Sequence, residues 1–362
     1  MNLPGLWDTI EKYLFPGLED LLGGELSNKE EEFVRICTIC ELDQYSHEFE
    51  WSGFGRPPKD HFNIVKAYIA KTVYNFDTTR SFLDFLKSST KIRRLCGWEF
   101  PKQLPHESTF SRVFAEITKS QLCQRMHRFL VLKHCGDTLV PHVSRDSSAI
   151  EAREKVTPEP ESKHKIPKKR GRPKKGEVRI KEKTVVEKQF ERSLEENLKE
   201  LPTHCNKGTK KNSNGYKVSW KGYKLHLDCI DGDIPIAGLL SSASLHDSQV
   251  AIPLAQISSQ RVTNLYDLMD AAYDSPSIHA FSHALGHKSI IDDNPRKTGV
   301  KKVFDPPEKE RYKQRSSVER VFSNLKDNYG GRMIRVRGHA KVMTHLMFGI
   351  IAITANQLFK AI

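Results

Sequence analysis

The sequence predicts an all-α stretch followed by an α/β domain in which strands alternate with helices. Two observations carry that prediction. Up to about residue 136 the apolar residues recur three and four apart, as on successive amphipathic helices. Beyond Gly136 the period drops to two, and β-rich runs then alternate with helical ones. At 362 residues the chain can bury one large core or two smaller ones. The expected division is 1–136 for the helical domain and 137–362 for the α/β domain, with an insertion at about 151–215.

Within the first region, Ser27 and Glu30 form a capping box ahead of E-E-F-V-R-I-C-T-I-C. Phe62, Val65, Ile69 and Val73 stripe the next helix, and Thr78 or Thr79 caps one carrying Phe82, Phe85 and Leu86. In P-H-E-S-T-F-S-R-V-F-A-E-I, Ser108 is the expected cap. Ser111 and Arg112 are then exposed beside buried Phe110, Val113 and Phe114. That element is either the major-groove helix of a helix-turn-helix or one more bundle helix.

The run T-L-V-P-H-V-S-R-D-S-S-A-I reads as a strand that presents Asp146 at its end. Phe190, Leu194 and Leu198 indicate a short helix. From Tyr216, two alternating runs form antiparallel strands joined by D-G-D at 231–233. A helix follows, capped by Asp247 or Ser248. His246 beside Asp247 is not read as a catalytic pair, because no nucleophile is spaced to partner it. N-L-Y-D-L-M-D-A-A-Y-D-S is a strand entering a turn, followed by a helix near 278–285 and a strand at K-S-I-I-D-D. The apolar segment from Val342 to Ile362 is interrupted by His345, Thr354, Asn356, Gln357 and Lys360. It reads as a helix buried in protein and not as a membrane span.

Charge points to the partner. The chain has 58 Lys and Arg against 45 Asp and Glu, a net charge of +13. With no lipid-directed feature, nucleic acid is favoured over a membrane surface. From Lys163 to Lys183 there are eleven Lys or Arg against two Glu. Inside lies K-R-G-R-P-K-K, where Gly171 and Pro173 keep the chain thin and extended while Arg170 and Arg172 project. With Lys174 and Lys175 this resembles an AT-hook for the minor groove of A·T-rich DNA. The alternative is a basic linker with generic phosphate affinity. Seven cysteines and no signal-peptide pattern fit reduced thiols in a cytoplasm. Cys37 and Cys40 form a lone C-x-x-C without a second ligand pair, so they read as core residues and not as a zinc site.

The stretch Y-K-Q-R-S-S-V-E-R-V-F-S-N-L-K, taken as one helix, sets Tyr312, Arg315, Glu319 and Lys326 along one edge. Val318, Val321, Phe322 and Leu325 supply an adjoining apolar stripe. By itself this is also an ordinary exposed face with an Arg–Glu pair four residues apart. The spacing resembles the Y-R-E-K signature of insertion-sequence transposases of the DDE type. G-R-P-P-K-D at 55–60, R-R-L-C-G-W and S-T-F-S-R resemble the end-binding N-terminal region of the same family. The element order resembles the ribonuclease H-like fold, which implies a five-stranded mixed sheet with helices on both faces. The resemblance further implies that Asp146, Asp270 and Glu319 are the catalytic acids that hold two Mg²⁺ ions, with Mn²⁺ able to replace them. Tyr312, Arg315 and Lys326 would then contact DNA. Asp267 is set aside because it lies an odd number of residues from Asp270 and faces the other way on a strand. Asp274 is set aside as a turn or cap residue.

Two-metal phosphodiester chemistry needs such carboxylates clustered, and acids are rarely grouped without a cation to bind. The activity expected is cleavage at terminal inverted repeats and strand transfer into target DNA. The enzyme would act as a homodimer on double-stranded DNA, in a prokaryotic cytoplasm at the nucleoid. Two alternatives are a domesticated nuclease that cuts without joining and a non-catalytic DNA-binding protein.

Overall fold

The computed structural model describes residues 3–50, 61–157, 182–211, 214–293, 299 and 303–361. G-R-P-P-K-D and the K-R-G-R-P-K-K run, with Arg170, Arg172, Lys174 and Lys175, lie outside the described residues.

Helices come first. α1 (Leu3–Thr9) and α2 (Phe15–Leu22) flank a π-helical turn. α3 (Asn28–Ile39) begins at the expected box, with Ser27 and Glu30 satisfying each other's backbone N–H groups. α4 (His61–Val73), α5 (Thr79–Ser88), α6 (Thr90–Leu95), α7 (Glu107–Lys119) and α8 (Leu122–Cys135) follow. Thr78 caps α5 by accepting from the Ser81 N–H. α7 departs from expectation at its start, where His106 and not Ser108 is the cap. Its Nδ1 accepts from the Ser108 N–H. Cys40 is fully buried and Cys37 partly so, and both thiols are free.

The sheet begins with β1 (Leu139–Glu151), which runs five residues past Asp146 and so does not end there. After α9 (Val185–Phe190) and α10 (Leu194–Glu200) come β2 (Asn206–Lys211), β3 (Lys217–Ile230) and β4 (Ile234–Ser242). Two capping boxes, Thr184/Glu187 and Ser193/Glu196, split the single helix expected around Phe190–Leu198. The β3–β4 turn has Gly232 and Asp233 both at positive φ, the geometry of a tight hairpin. α11 (Ser248–Ser259), β5 (Thr263–Met269), α12 (Pro276–Ala284) and β6 (Lys288–Ile291) complete the unit.

Among the described residues six strands form the sheet, one more than expected. β4, β3 and β1 are successively antiparallel, and β1, β5 and β6 are parallel. The added strand, β2, pairs with the first part of β3. Its sequence N-K-G-T-K-K has no apolar alternation, so nothing in its period signalled a strand. At Gly222 β3 passes from β2 to β1. A Cβ there would lie 2.1 Å from the Ile150 carbonyl oxygen, so only glycine fits.

α13 (Pro306–Tyr312), a 3₁₀ turn at Lys313–Arg315 and α14 (Ser316–Asn328) replace the one helix expected over 312–326. Ser144 of β1 donates to the Gln314 carbonyl within this turn (3.0 Å), where the backbone tightens to i→i+3 bonding.

α15 (His339–Lys360) packs on α3, α4, α7 and α8 and also on β4 and α14, so helices and sheet share one core. It is long and apolar enough to cross a membrane, but most of it is buried inside the protein. Its Thr344 and Thr354 hydroxyls donate to carbonyls one turn back, which removes their cost of burial.

Candidate active site

Side chains alternate along β1, and the two faces do different work. The odd-numbered Arg145 points into the protein, where it donates to both oxygens of Asp228 (2.8 and 2.7 Å). The even-numbered Ser144, Asp146 and Ser148 face the segment from the 3₁₀ turn through α14. They meet the Gln314 carbonyl, Arg315 and Lys326 respectively. α14 is fixed over this face by its buried Val318, Val321 and Leu325, and Arg320 clamps it to Asp233 of the hairpin turn.

β1 and β5 are in parallel register from Leu139↔Thr263 to Ser144↔Leu268. Two residues further on, that register brings Asp146 level with Asp270, with backbones on the order of 5 Å apart. Both aspartates line one pocket of about 470 Å³ at the C-terminal ends of the parallel strands. Burial pushes the Asp146 carboxyl up to about 6, and neighbouring Asp270 adds to this against the Ser147 N–H and Arg315. Burial and Asp247 likewise raise Asp270. The Asp270 side chain also accepts from the Ala272 N–H (2.9 Å).

Glu319 stands beside this pair. Arg315 donates to Asp146 (3.3 Å) and, through its other nitrogen, to Glu319. One guanidinium therefore links two of the three expected acids. Burial opposes the Arg315 charge, but Glu319 and then Asp146 outweigh it. The Tyr312 hydroxyl donates to the Met269 carbonyl (3.2 Å), next to Asp270. The Lys326 ammonium reaches the Ser148 hydroxyl (2.6 Å). Thus Tyr312 meets the end of β5, Arg315 and Lys326 meet β1, and Glu319 is tied to them through Arg315 without lining the pocket itself, despite the break in their helix.

The competing acids lie elsewhere. Asp267 is buried, accepting from Asn264 (3.1 Å) and bonded to His287 (3.3 Å). Asp274 ends the short turn after β5 and pairs with His279. Ser111 and Arg112 are exposed on α7, away from the pocket, and Arg112 bonds back to Ser108 and Thr109.

Asp247 corrects the sequence reading. It does not cap α11 with its side chain. Instead its carboxylate lines the acidic pocket and accepts from Ser147 and Lys224 (both 2.9 Å). Buried His226, held neutral near 4 mainly by desolvation, lies 4.0 Å away. The helix start is served by His246, whose Nδ1 accepts from the Ser248 N–H and bonds its hydroxyl. H-D-S at 246–248 thus repeats the device of H-E-S at 106–108, a histidine cap that releases the middle acid. That repeated tripeptide was the available signal.

Among the described residues, no three His, Cys, Asp or Glu stand in a ready-made metal cage. The donor set nevertheless fits a hard divalent ion. It offers carboxylate oxygens only, on partly buried acids whose charges oppose each other and whose nearest cation is a single arginine.

A family model described as "Transposase DDE domain" matches residues 146–355, beginning at Asp146 itself. The chain is an insertion-sequence transposase of the DDE type. A second model, "Transposase domain (DUF772)", matches residues 24–116 of the transposase, within its helical part. No curated protein and no solved structure matches it.

Proposed function

We propose that this transposase cleaves DNA at the terminal inverted repeats of its element and joins the freed 3′ ends to target DNA. The observation that carries the reading is the meeting of Asp146 and Asp270 across β1 and β5, with Glu319 reached by the same arginine. The sheet order β4-β3-β1-β5-β6, with its parallel half at the acids, supports a ribonuclease H-like catalytic unit.

Asp146, Asp270 and Glu319 would hold two Mg²⁺, which when bound supply an activated attacking oxygen and charge relief on the leaving oxygen. For Glu319 to join the other two, Arg315 must release it, which frees the guanidinium to take a phosphate oxygen. Lys326 steadies Ser148 on the strand that carries Asp146. Lys207, Lys210 and Lys224 line the same pocket and offset the charge of an entering phosphodiester. Two copies acting on paired ends would form the working complex. Arg170, Arg172, Lys174 and Lys175 would add contacts to the A·T-rich minor groove.

Glu319→Gln tests the reading. Strand cleavage of an end-containing duplex should be abolished while duplex binding survives. Normal cleavage by this variant refutes the assignment. A precut end then separates joining from hydrolysis, and hydrolysis alone would make the protein a nuclease.

A further inference from the structure

A second cleft, of about 640 Å³, opens between α7 and the segment that joins α14 to α15. That segment, R-M-I-R-V-R-G at 332–338, is neither helix nor strand, yet it alternates. Ile334 is buried and Val336 is half-buried against the core, while Met333, Arg335 and Arg337 face out. Arg335 and Arg337 therefore project together into the cleft, joined by Lys341 from α15 and Arg153 from beyond the end of β1. All four are exposed, and none has an ion-pair or hydrogen-bond partner among the described residues. Several arginines elsewhere are paired. Arg80, Arg94, Arg125, Arg320 and Arg332 each hold a carboxylate.

The cleft is also built. Glu154 accepts from the Tyr223 hydroxyl (2.5 Å) and from the Gly338 N–H (3.0 Å), which pins the 332–338 segment next to Arg153. His345 fixes the other end by bonding the Gly330 carbonyl (2.9 Å). Two carboxylates, Asp77 and Glu107, also line the cleft, but Asp77 lies by Lys71 and Glu107 pairs with Arg80. The four cations therefore stay unmatched and fit a polyanion with regularly spaced charges.

We infer that this cleft is a track for the phosphate backbone of double-stranded DNA, held there by Arg153, Arg335, Arg337 and Lys341. This rests on the transposase reading above and adds where the duplex runs. β1 connects the two sites. Asp146 sits at the catalytic pocket, and Glu151, five residues on, lies about 17 Å further along the strand. Arg153 is two residues beyond. The duplex would leave the acids, pass Lys326, which has Lys210 and Arg332 near enough to oppose its charge, and enter the cleft on the order of five base pairs from the cut.

The test is the triple variant R335A/R337A/K341A against the unaltered full chain, with R335K/R337K as the charge-keeping control. Binding of a fluorescent mixed-sequence duplex is titrated over a range of salt. Loss of three phosphate contacts should lower the slope of log K against log salt by up to about 2.7. Affinity in low salt should fall by at least tenfold, and the lysine control should restore most of both. All substituted positions are exposed, and an unchanged thermal midpoint confirms folding. Unchanged slope and affinity in the triple variant overturn the track and leave the catalytic reading standing. A folded, unaltered chain that binds no duplex overturns both. Loss in the lysine control equal to that in the alanine variant also overturns the track, since phosphate contacts need charge and not arginine itself.

Discussion

Arg145 and Asp146 are neighbours on one strand, yet the two sides of the sheet treat their charges in opposite ways. On the inner side Arg145 meets Asp228 through two bonds, and the Ser258 hydroxyl donates a third to the same carboxylate (2.6 Å). Asp267 is similarly enclosed by Asn264 and His287. On the other side Asp146 and Asp270 are partly buried but under-compensated, and both are raised. A buried charge with every lone pair used is structural, and removing its partner is costly. A half-buried acid left short of counter-charge is poised for a ligand from outside. The difference separates acids satisfied within the framework from acids left open to a ligand, without reference to the reaction.

The comparison breaks or sharpens under substitution. The largest effect is expected on the open side. Asp270→Asn should lower strand cleavage by at least about a thousandfold, roughly 4 kcal/mol of transition-state stabilisation, while circular dichroism stays unchanged. Near-normal turnover on an end-containing duplex would remove Asp270 from the working set. Next comes the inner side, where Asp228→Ala leaves Arg145 buried and alone. Urea unfolding should show a loss of about 3–5 kcal/mol, and a loss under about 1 kcal/mol would erase the contrast.

Asp146→Asn should do the reverse in metal-free buffer and raise stability at pH 7 by roughly 2 kcal/mol. The sign follows from a folded value near 6 above an ordinary value of 3.8. Above pH 6 the ionised acid opposes folding, and as pH falls from 6 towards 4 the native state takes up the proton and the penalty fades. Variant and parent should therefore converge by about pH 4. Destabilisation of the variant at pH 7 would contradict the picture. Saturating Mg²⁺ should stabilise the parent by about 2.7 kcal/mol at a hundred times its dissociation constant, and the variant much less. The smallest effect is expected from Asp247→Asn, which keeps the Ser147 contact but unpairs Lys224. Cleavage should fall roughly tenfold, equivalent to about 1.4 kcal/mol, and a larger drop would place Asp247 among the working acids.

Much of this was legible in short strings. The strand that carries Asp146 and the strand-to-turn run that carries Asp270 were legible because period-two patterning and turn residues are local signals, whereas singling out these two aspartates took the family resemblance. Glu319 was visible through its spacing from Tyr312, Arg315 and Lys326, although the backbone between them is not one helix. What stayed hidden depends on distant partners. β2 is a strand only because β3 offers it a ladder, and N-K-G-T-K-K carries no period of its own. Asp247 was mistaken for a cap since helix-start acids look alike until the neighbouring histidine is seen doing that task. Arg335 and Arg337 drew no notice in the sequence, because the short segment that aims them is neither helix nor strand and is pinned at Gly338 by Glu154, nearly two hundred positions earlier.

α15 has one more consequence. Buried Val342, Leu346, Ile350 and Ile353 belong to the main core cluster, which also takes in α3, α4, α7 and α8. During synthesis those early helices emerge long before the segment that covers them, so they must wait with apolar surface open to chaperones. Their stability is then gained in one step with that of the sheet, late and together. An isolated amino-terminal fragment would lack this closing piece, so dissecting the protein by truncation should yield aggregation-prone material instead of a separate module.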